Sequence, residues 1–228
     1  MEKFCYYFLL YFIYCVFGYI LECIYCSIID KKINLNRGFL LGPYLPIYGC
    51  GAMAIIFLLK KYVDDPIVLF VMGALVATVL EYITSYIMEK IFKARWWDYS
   101  DQKFNINGRV CLLNSFLFGI GGLLIMYFVN PMFTSFLDRF NKFLLILIAI
   151  ILFLTYIADT VISVFTIYKL RVNSISINKD LSEEISEQVR KIILKNKYFK
   201  KRMLGAFPSV KHNRTYSKLK EILEKHSK

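Results

Sequence analysis

Four carboxylates stand where carboxylates are expensive. Glu22, Glu81, Glu89 and Asp159 each lie inside or near the end of a long apolar block. A charge at the centre of a bilayer costs at least about 2.5–3.5 kcal/mol on insertion scales, so such groups persist when they are paired or when they bind something. Glu81, Ser85 and Glu89 fall at i, i+4 and i+8, on one side of a helix, and Asp159 heads a similar polar stripe with Thr155, Ser163 and Thr166. Two chemistries fit this pattern. In a purely structural one, the acids pair with Arg37, Arg95 or Arg109 and fix helix packing. In the sharper one, Glu22, Glu81 and Asp159 line a cavity and bind a cation, a proton or the cationic group of a substrate.

Other reactive constellations are sparse. Cys23 and Cys26 form a C-x-x-C, but no second pair or histidine cluster accompanies them, and all six cysteines lie within or at the ends of apolar blocks, as small core residues do. The two histidines, His212 and His226, are both in the C-terminal tail, and neither H-E-x-x-H nor a nucleophile–base pair is present. The sequence therefore implies no metal and no cofactor, and its catalytic residues, if any, are unknown. An enzyme would have to use Glu22, Glu81 or Glu89 as general base, with Arg37, Arg95 or Arg109 holding an anionic lipid or isoprenoid phosphate.

The elements that position these residues follow from hydropathy. Of 228 residues, 57% are hydrophobic and 17% aromatic, gathered in long blocks, which is membrane composition. Crossing a hydrocarbon layer about 30 Å thick takes roughly 20 apolar residues of helix. Five blocks qualify, at about residues 4–29, 44–59, 66–92, 110–129 and 143–168, the second being the shortest. The first is long for a secretory signal and no A-x-A-like site follows it, so it reads as a retained helix. The fold class is all-α: a polytopic bundle of about five transmembrane helices over residues 1–168, followed by a basic tail over 169–228.

Charge sets the expected orientation. Residues 1–168 hold 13 Lys plus Arg against 11 Asp plus Glu, whereas the tail holds 16 against 6. Positive-inside bias places that tail in the cytoplasm, and five crossings then put the N-terminus outside. Loops assigned inside carry eight basic residues and the outside segments five, in modest agreement. In the tail, Leu181, Ile185, Val189 and Ile192 recur at helical spacing with Glu183, Glu184, Arg190 and Lys191 off the stripe, and a second amphipathic stretch covers 217–226. The run Lys200-Lys201-Arg202 lies between them. Such a tail suits the anionic head groups of membrane lipids, and nothing in it resembles a nucleic-acid module. On this topology Glu22, Glu81 and Asp159 sit roughly 12–17 Å from the same cytoplasmic face and could share one polar layer.

Two segments on that face stand out. Residues 36–49 are dense in Gly and Pro where the second helix should enter the membrane, which points to a re-entrant stretch or broken helix start. Residues 93–111 hold both tryptophans, Trp96 and Trp97, with Tyr99, as an interfacial aromatic belt would. A belt does not call for the neighbouring Asp98, Asn105, Asn107, Gly108 and Arg109. Asn105-Ile106-Asn107-Gly108 has turn chemistry, with Gly108 free to take positive φ, so the loop should fold back with Arg95 and Arg109 flanking it.

These residues resemble a known family of small bacterial membrane proteins, the CmpB-like putative ABC-transporter type IV permeases. The resemblance rests on Asn36-Arg37-Gly38-Phe39, Gly42-Pro43, Pro46-Ile47-Tyr48-Gly49, Glu81-Tyr82, Ser85, Met88-Glu89, Arg95-Trp96-Trp97-Asp98-Tyr99-Ser100 and Asn105-Ile106-Asn107-Gly108-Arg109, and it covers most of residues 10–130. It implies a transport-related, permease-like subunit. It supplies no catalytic or substrate-binding residue. Because G-x-x-x-x-G-K-[ST] is missing from the sequence, ATP hydrolysis would need a separate ATPase subunit, and the size of the chain suggests a homodimer or a partner permease. The binding candidates are Glu22, Arg37, Glu81, Ser85, Glu89, Arg95, Trp96, Trp97, Asp98, Tyr99, Asn105, Arg109 and Asp159. A non-catalytic membrane scaffold or regulator and a lipid-directed membrane enzyme are the competing expectations.

Overall fold

The computed structural model describes residues 2–29, 31, 33, 38, 40–92 and 97–176. The expectations for Arg37, Arg95, Trp96 and the amphipathic stretches of the tail lie outside these residues. Helix α1 runs Glu2–Ile29, α2 Pro46–Leu59 and α3 Pro66–Phe92. A two-stranded hairpin follows, β1 (Asn105–Ile106) and β2 (Val110–Cys111). Then come α4 (Leu112–Leu124), a π-helical turn (Ile125–Val129), α5 (Asn130–Leu137) and α6 (Lys142–Ser176).

Four of the resulting rods are long and apolar enough to cross a membrane: 2–28, 66–91, 112–137 and 142–165. Large side chains such as Ile67 and Phe143, each 77% exposed, cover their outer faces. In a bilayer such surface meets lipid rather than water. The protein is an all-α, multi-pass membrane protein. Helix α2 is the exception in length, since its 14 residues reach only about 21 Å.

The third rod is α4 and α5 joined through the π turn. Pro131 has no N–H and its ring crowds the preceding turn, so a regular α-helix cannot pass through it undisturbed. The wider turn immediately upstream absorbs the mismatch, and there Tyr127 Oη donates to the Val63 carbonyl at 2.5 Å, tying the rod to the α2–α3 connection.

Contacts at the helix ends fix which ends lie together. Glu2 pairs with Lys142 at 2.8 Å and Tyr6 Oη donates to Asp138 at 3.1 Å, so the start of α1, the α5–α6 turn and the start of α6 share one face. Helices α1 and α6 consequently run parallel, with Phe8 against Phe153 and Tyr11 against Tyr156. Helix α2 returns antiparallel to α1, Tyr48 near Gly18 and Phe57 near Tyr7. Helices α3 and α4 are antiparallel and approach closely where Gly73 meets Gly122. The segment leading to α2 and the hairpin thus both emerge at the C-terminal ends of α1, α3 and α6.

The core is layered along this bundle. Nearest the N-terminal face, Cys5, Leu9, Leu10 and Tyr14 pack against Ala52, Leu137 and Ala149. Ile55, Leu59, Leu69 and Met126 join α2, α3 and the π turn. A third cluster, Cys15 with Leu40 and Tyr44, brings irregular chain into the bundle.

Candidate functional site

Residues 40–45 are not helical, yet they sit deep. The Leu45 N–H donates to the Cys15 carbonyl at 2.9 Å, and Cys15 is fourteen residues before the end of α1, about 21 Å along the helix axis. Leu40, Tyr44 and Leu45 are buried there. Pro43 and Pro46 explain the form: each lacks a helical donor, and the residue before a proline is pushed to extended backbone, as Leu45 is at φ −119° and ψ 104°. Helix α2 therefore begins mid-bundle, at a re-entrant segment.

Freed backbone donors at that depth need acceptors, and Asp159 of α6 supplies them. Its Oδ1 accepts from the Leu41 N–H at 2.9 Å and from Ser163 Oγ at 2.9 Å; its Oδ2 accepts from the Gly42 N–H at 2.7 Å and from Tyr44 Oη at 2.5 Å. Asp159 and Ser163 are buried. None of the four donors is an arginine, so the expected pairing with Arg37, Arg95 or Arg109 does not describe this residue. Nor does the expected stripe extend to Thr155, which is exposed and returns its hydroxyl to the Leu152 carbonyl within its own helix.

The first turn of α2 carries the chain to a second polar cluster. Tyr48 Oη donates to Glu22 Oε2 at 2.7 Å, and the Cys26 thiol donates to Glu22 Oε1 at 3.5 Å. Gly18 makes the approach possible, because a Cβ there would lie 2.2 Å from Tyr48 Cγ. From the hairpin, Tyr99 Oη donates to Glu81 Oε1 at 3.2 Å. Glu81 is 7% exposed and its Oε2 has no hydrogen-bond partner. Glu22, Tyr48, Glu81 and Tyr99 lie within electrostatic reach of one another. Burial, and then the Glu81 carboxylate, push the Tyr99 phenol well above the usual tyrosine range, so it stays a donor. Ser85, one turn beyond Glu81, is buried on the same side of α3.

A third group lies nearer the face. Arg109 Nη2 pairs with Glu89 Oε2 at 2.7 Å, and its guanidinium lies over the rings of Tyr82 and Tyr86 at 5.6 and 5.5 Å. The hairpin holds it there. Asn107 and Gly108 take φ of 53° and 67°, the two left-handed residues that an Asn-Gly hairpin turn requires. Asn105 braces the turn, its Oδ1 accepting from the Gly108 N–H at 3.0 Å and its Nδ2 donating to the Gln102 carbonyl at 2.8 Å. Trp97 Nε1 donates to the Arg109 carbonyl at 2.9 Å, Asn107 Nδ2 to Tyr82 Oη at 3.0 Å, and Asp98 closes a local turn on the Ser100 N–H at 3.0 Å. Asp98 and Asn105 thus shape the loop, while Tyr99 reaches a buried carboxylate.

A family model described as putative ABC-transporter type IV matches residues 9–164. The chain belongs to that family. The stretch matched by the putative ABC-transporter type IV model takes in every described candidate from Glu22 to Asp159 and stops just past Ser163, the last donor to Asp159. No curated protein and no solved structure is a significant match to the chain. Membership makes this a transport-related membrane protein.

The geometry gathers Glu22 and Glu81 with two tyrosines, and it sets Asp159 apart as the clamp of the re-entrant segment. Sequence reasoning passed over Tyr44, Tyr48, Cys26 and Gly18 as site residues. Tyr44 and Tyr48 stood in the Gly-Pro-rich run, and their spacing from the prolines was the available signal. Gly18 had none, because its partner is 30 residues away. Among the described residues, no group of three or more His, Cys, Asp or Glu is disposed to hold a metal ion.

Proposed function

We propose that the chain is a permease-like subunit of a transport system, with its polar site at the end of the bundle that carries the re-entrant segment and the hairpin. The observation that carries this reading is residues 40–45, non-helical backbone at mid-membrane depth. Such backbone is tolerated only in protein-buried or water-lined positions, and transporters use interrupted helices of this kind to form sites near the bilayer midplane. A scaffold needs no such interruption. Energy would come from a separate ATPase subunit, since the sequence lacks the phosphate-binding loop motif.

The face with both loops is the cytoplasmic one in this proposal, with the N-terminus outside and the basic tail, drawn to anionic head groups, inside. The excess of basic residues in the tail and in those loops supports it. With Cys50 replaced by serine, a cysteine at Asp98 should be labelled by an impermeant maleimide only from the cytoplasmic side, and one at Lys60 only from outside. The reverse pattern inverts the map. The transport reading itself is tested by affinity purification of the tagged chain from its native membrane: an ATPase subunit should co-purify, and recovery of none overturns the simplest form of the proposal.

A further inference from the structure

We infer that the outer face of the last turns of α3 is a binding site for an anionic phospholipid, its phosphate held by Lys90 and the Tyr86 hydroxyl with Arg109 behind them, and an acyl chain lying along Ile83 and Val79. This goes beyond the transport reading. It depends neither on that reading nor on which side of the membrane the hairpin faces.

Helical spacing lays out the face. Val79, Ile83, Tyr86, Ile87 and Lys90 recur at i, i+4, i+7, i+8 and i+11, on one side of α3, away from the side that buries Glu81 and Ser85. All five are exposed, Val79 by 49%, Ile83 by 50% and Ile87 by 47%. Depth divides the face in two. The apolar span 66–91 is about 39 Å long, roughly 9 Å more than the hydrocarbon layer. It starts directly after Asp64 and Asp65, so the excess falls at the hairpin end. Tyr86 and Lys90 therefore lie at the level of lipid head groups, and Val79 and Ile83 farther into the bilayer, at the level of acyl chains.

The polar end is built around one ring. Lys90 Nζ lies 4.6 Å from the centre of the Tyr86 ring and the Arg109 guanidinium 5.5 Å from it. Two cations on one ring repel each other, and an anion beside them relieves the repulsion. Glu89 answers Arg109 at 2.7 Å; among the described residues no carboxylate pairs with Lys90, and the Tyr86 hydroxyl makes no hydrogen bond. The Arg109 side chain is only 13% exposed, so it adds charge from behind the ring while Lys90 and Tyr86 stay open. A phosphodiester supplies what these two lack, oxygen lone pairs for an ammonium and a phenol, together with negative charge. The apolar face that continues from the ring into the bilayer selects a lipid as its carrier. Snorkelling accounts for a lysine at this level, but not for a second cation fixed on the same ring.

The test uses the full chain in phosphatidylcholine nanodiscs containing a little phosphatidylglycerol with a photoreactive acyl chain, and maps the cross-linked peptides by mass spectrometry. Label should fall on α3 between Val79 and Ile87. Added unlabelled phosphatidylglycerol should displace it, and the same addition of phosphatidylcholine should not. Lys90→Gln should lower capture there about fivefold, the effect of one cation beside anionic lipid, and Tyr86→Phe, which keeps the ring, should lower it as well. Both variants leave the Arg109–Glu89 pair in place, and Lys60→Gln, at the far end of the bundle, should change nothing. Because the readout is local to α3, lipid gathered by the basic tail does not enter it. Label displaced equally by both lipids, or unchanged in either K90Q or Y86F, reduces the face to ordinary boundary-lipid surface and overturns the proposal. So does an unlabelled α3, the outcome expected if a second copy of the chain covers this face. Displacement by soluble glycerol phosphate as effective as by phosphatidylglycerol also overturns it, by assigning the site to a free phosphate anion.

Discussion

Replacing Asp159 by asparagine should release the re-entrant segment while leaving the bundle assembled. The carboxylate accepts four hydrogen bonds, from the Leu41 and Gly42 amides, Tyr44 and Ser163. Asparagine keeps one acceptor oxygen and turns an NH2 toward the donors of the other. Tyr44 can rotate its hydroxyl and accept; a backbone N–H cannot. Hydrogen bonds to charged groups contribute about 1.5–3 kcal/mol each in soluble proteins, while side-chain bonds between membrane helices average about 0.6 kcal/mol. Losing that one bond of the four therefore costs roughly 0.6–3 kcal/mol on these two scales, and alanine, which removes all four, costs about four times that. The assay has two readings. Thermal unfolding of the purified chain in detergent should show lower apparent midpoints in the order wild type, D159N, D159A. In a Cys50→Ser background, where the five remaining cysteines are buried, Leu40→Cys should react slowly with a maleimide, since Leu40 is 2% exposed, and much faster once D159N is added. Thr155→Ala, on the exposed side of α6, should change neither. If D159N melts with the wild type and Leu40→Cys stays inert, Asp159 does not hold the segment.

Gly18→Ala should lower the thermal midpoint by an amount equivalent to about 1–3 kcal/mol of overpacking, because its Cβ would overlap Tyr48; a neutral result would mean that Tyr48 does not sit against α1. A double-mutant cycle on R109A and E89A should return a coupling of about 1 kcal/mol or less, as the pair is partly solvent-screened. R109K should recover only part of the loss, since lysine keeps the charge without the planar contact to Tyr82 and Tyr86. Tyr99 has a raised folded-state pKa, so its contribution is intact below the unfolded tyrosine value of about 10 and declines as pH rises beyond it. The difference in midpoint between wild type and Y99F should accordingly shrink above that pH, and a difference that stays flat contradicts the burial of the phenol.

The membrane fold was legible because hydropathy alone specifies it: an apolar run the width of a bilayer has few ways to satisfy its backbone other than as helix. The re-entrant segment was legible for the opposite reason, since Pro43 and Pro46 remove donors that a helix would need. What the segment binds was not. The partners of Leu41 and Gly42 are 118 and 117 residues away, and a backbone N–H carries no residue-type signal for its acceptor. The polar layer illustrates the limit well. Depth along three helices put Glu22, Glu81 and Asp159 at similar heights, but height says nothing about azimuth. Only packing decides that Glu22 and Glu81 look toward Tyr48 and Tyr99 while Asp159 looks into the 41–44 turn.

That difference in azimuth separates the roles of three acids that the sequence made equal. Asp159 is saturated, and the Leu41 and Gly42 amides it holds would otherwise be stranded in a region without water, so its charge is the solution to a folding problem that the prolines create. Glu81 is the reverse case. Its Tyr99 bond uses one oxygen and leaves the other buried and unanswered, and nothing in the fold requires a carboxylate there, because glutamine would serve the Tyr99 phenol equally well with its amide oxygen. A group that costs the fold more than it contributes is retained for what it binds. The comparison of D159N with E81Q therefore carries the argument: the first should damage stability and the second should spare or raise it. An E81Q chain as unstable as D159N would return Glu81 to the list of structural acids.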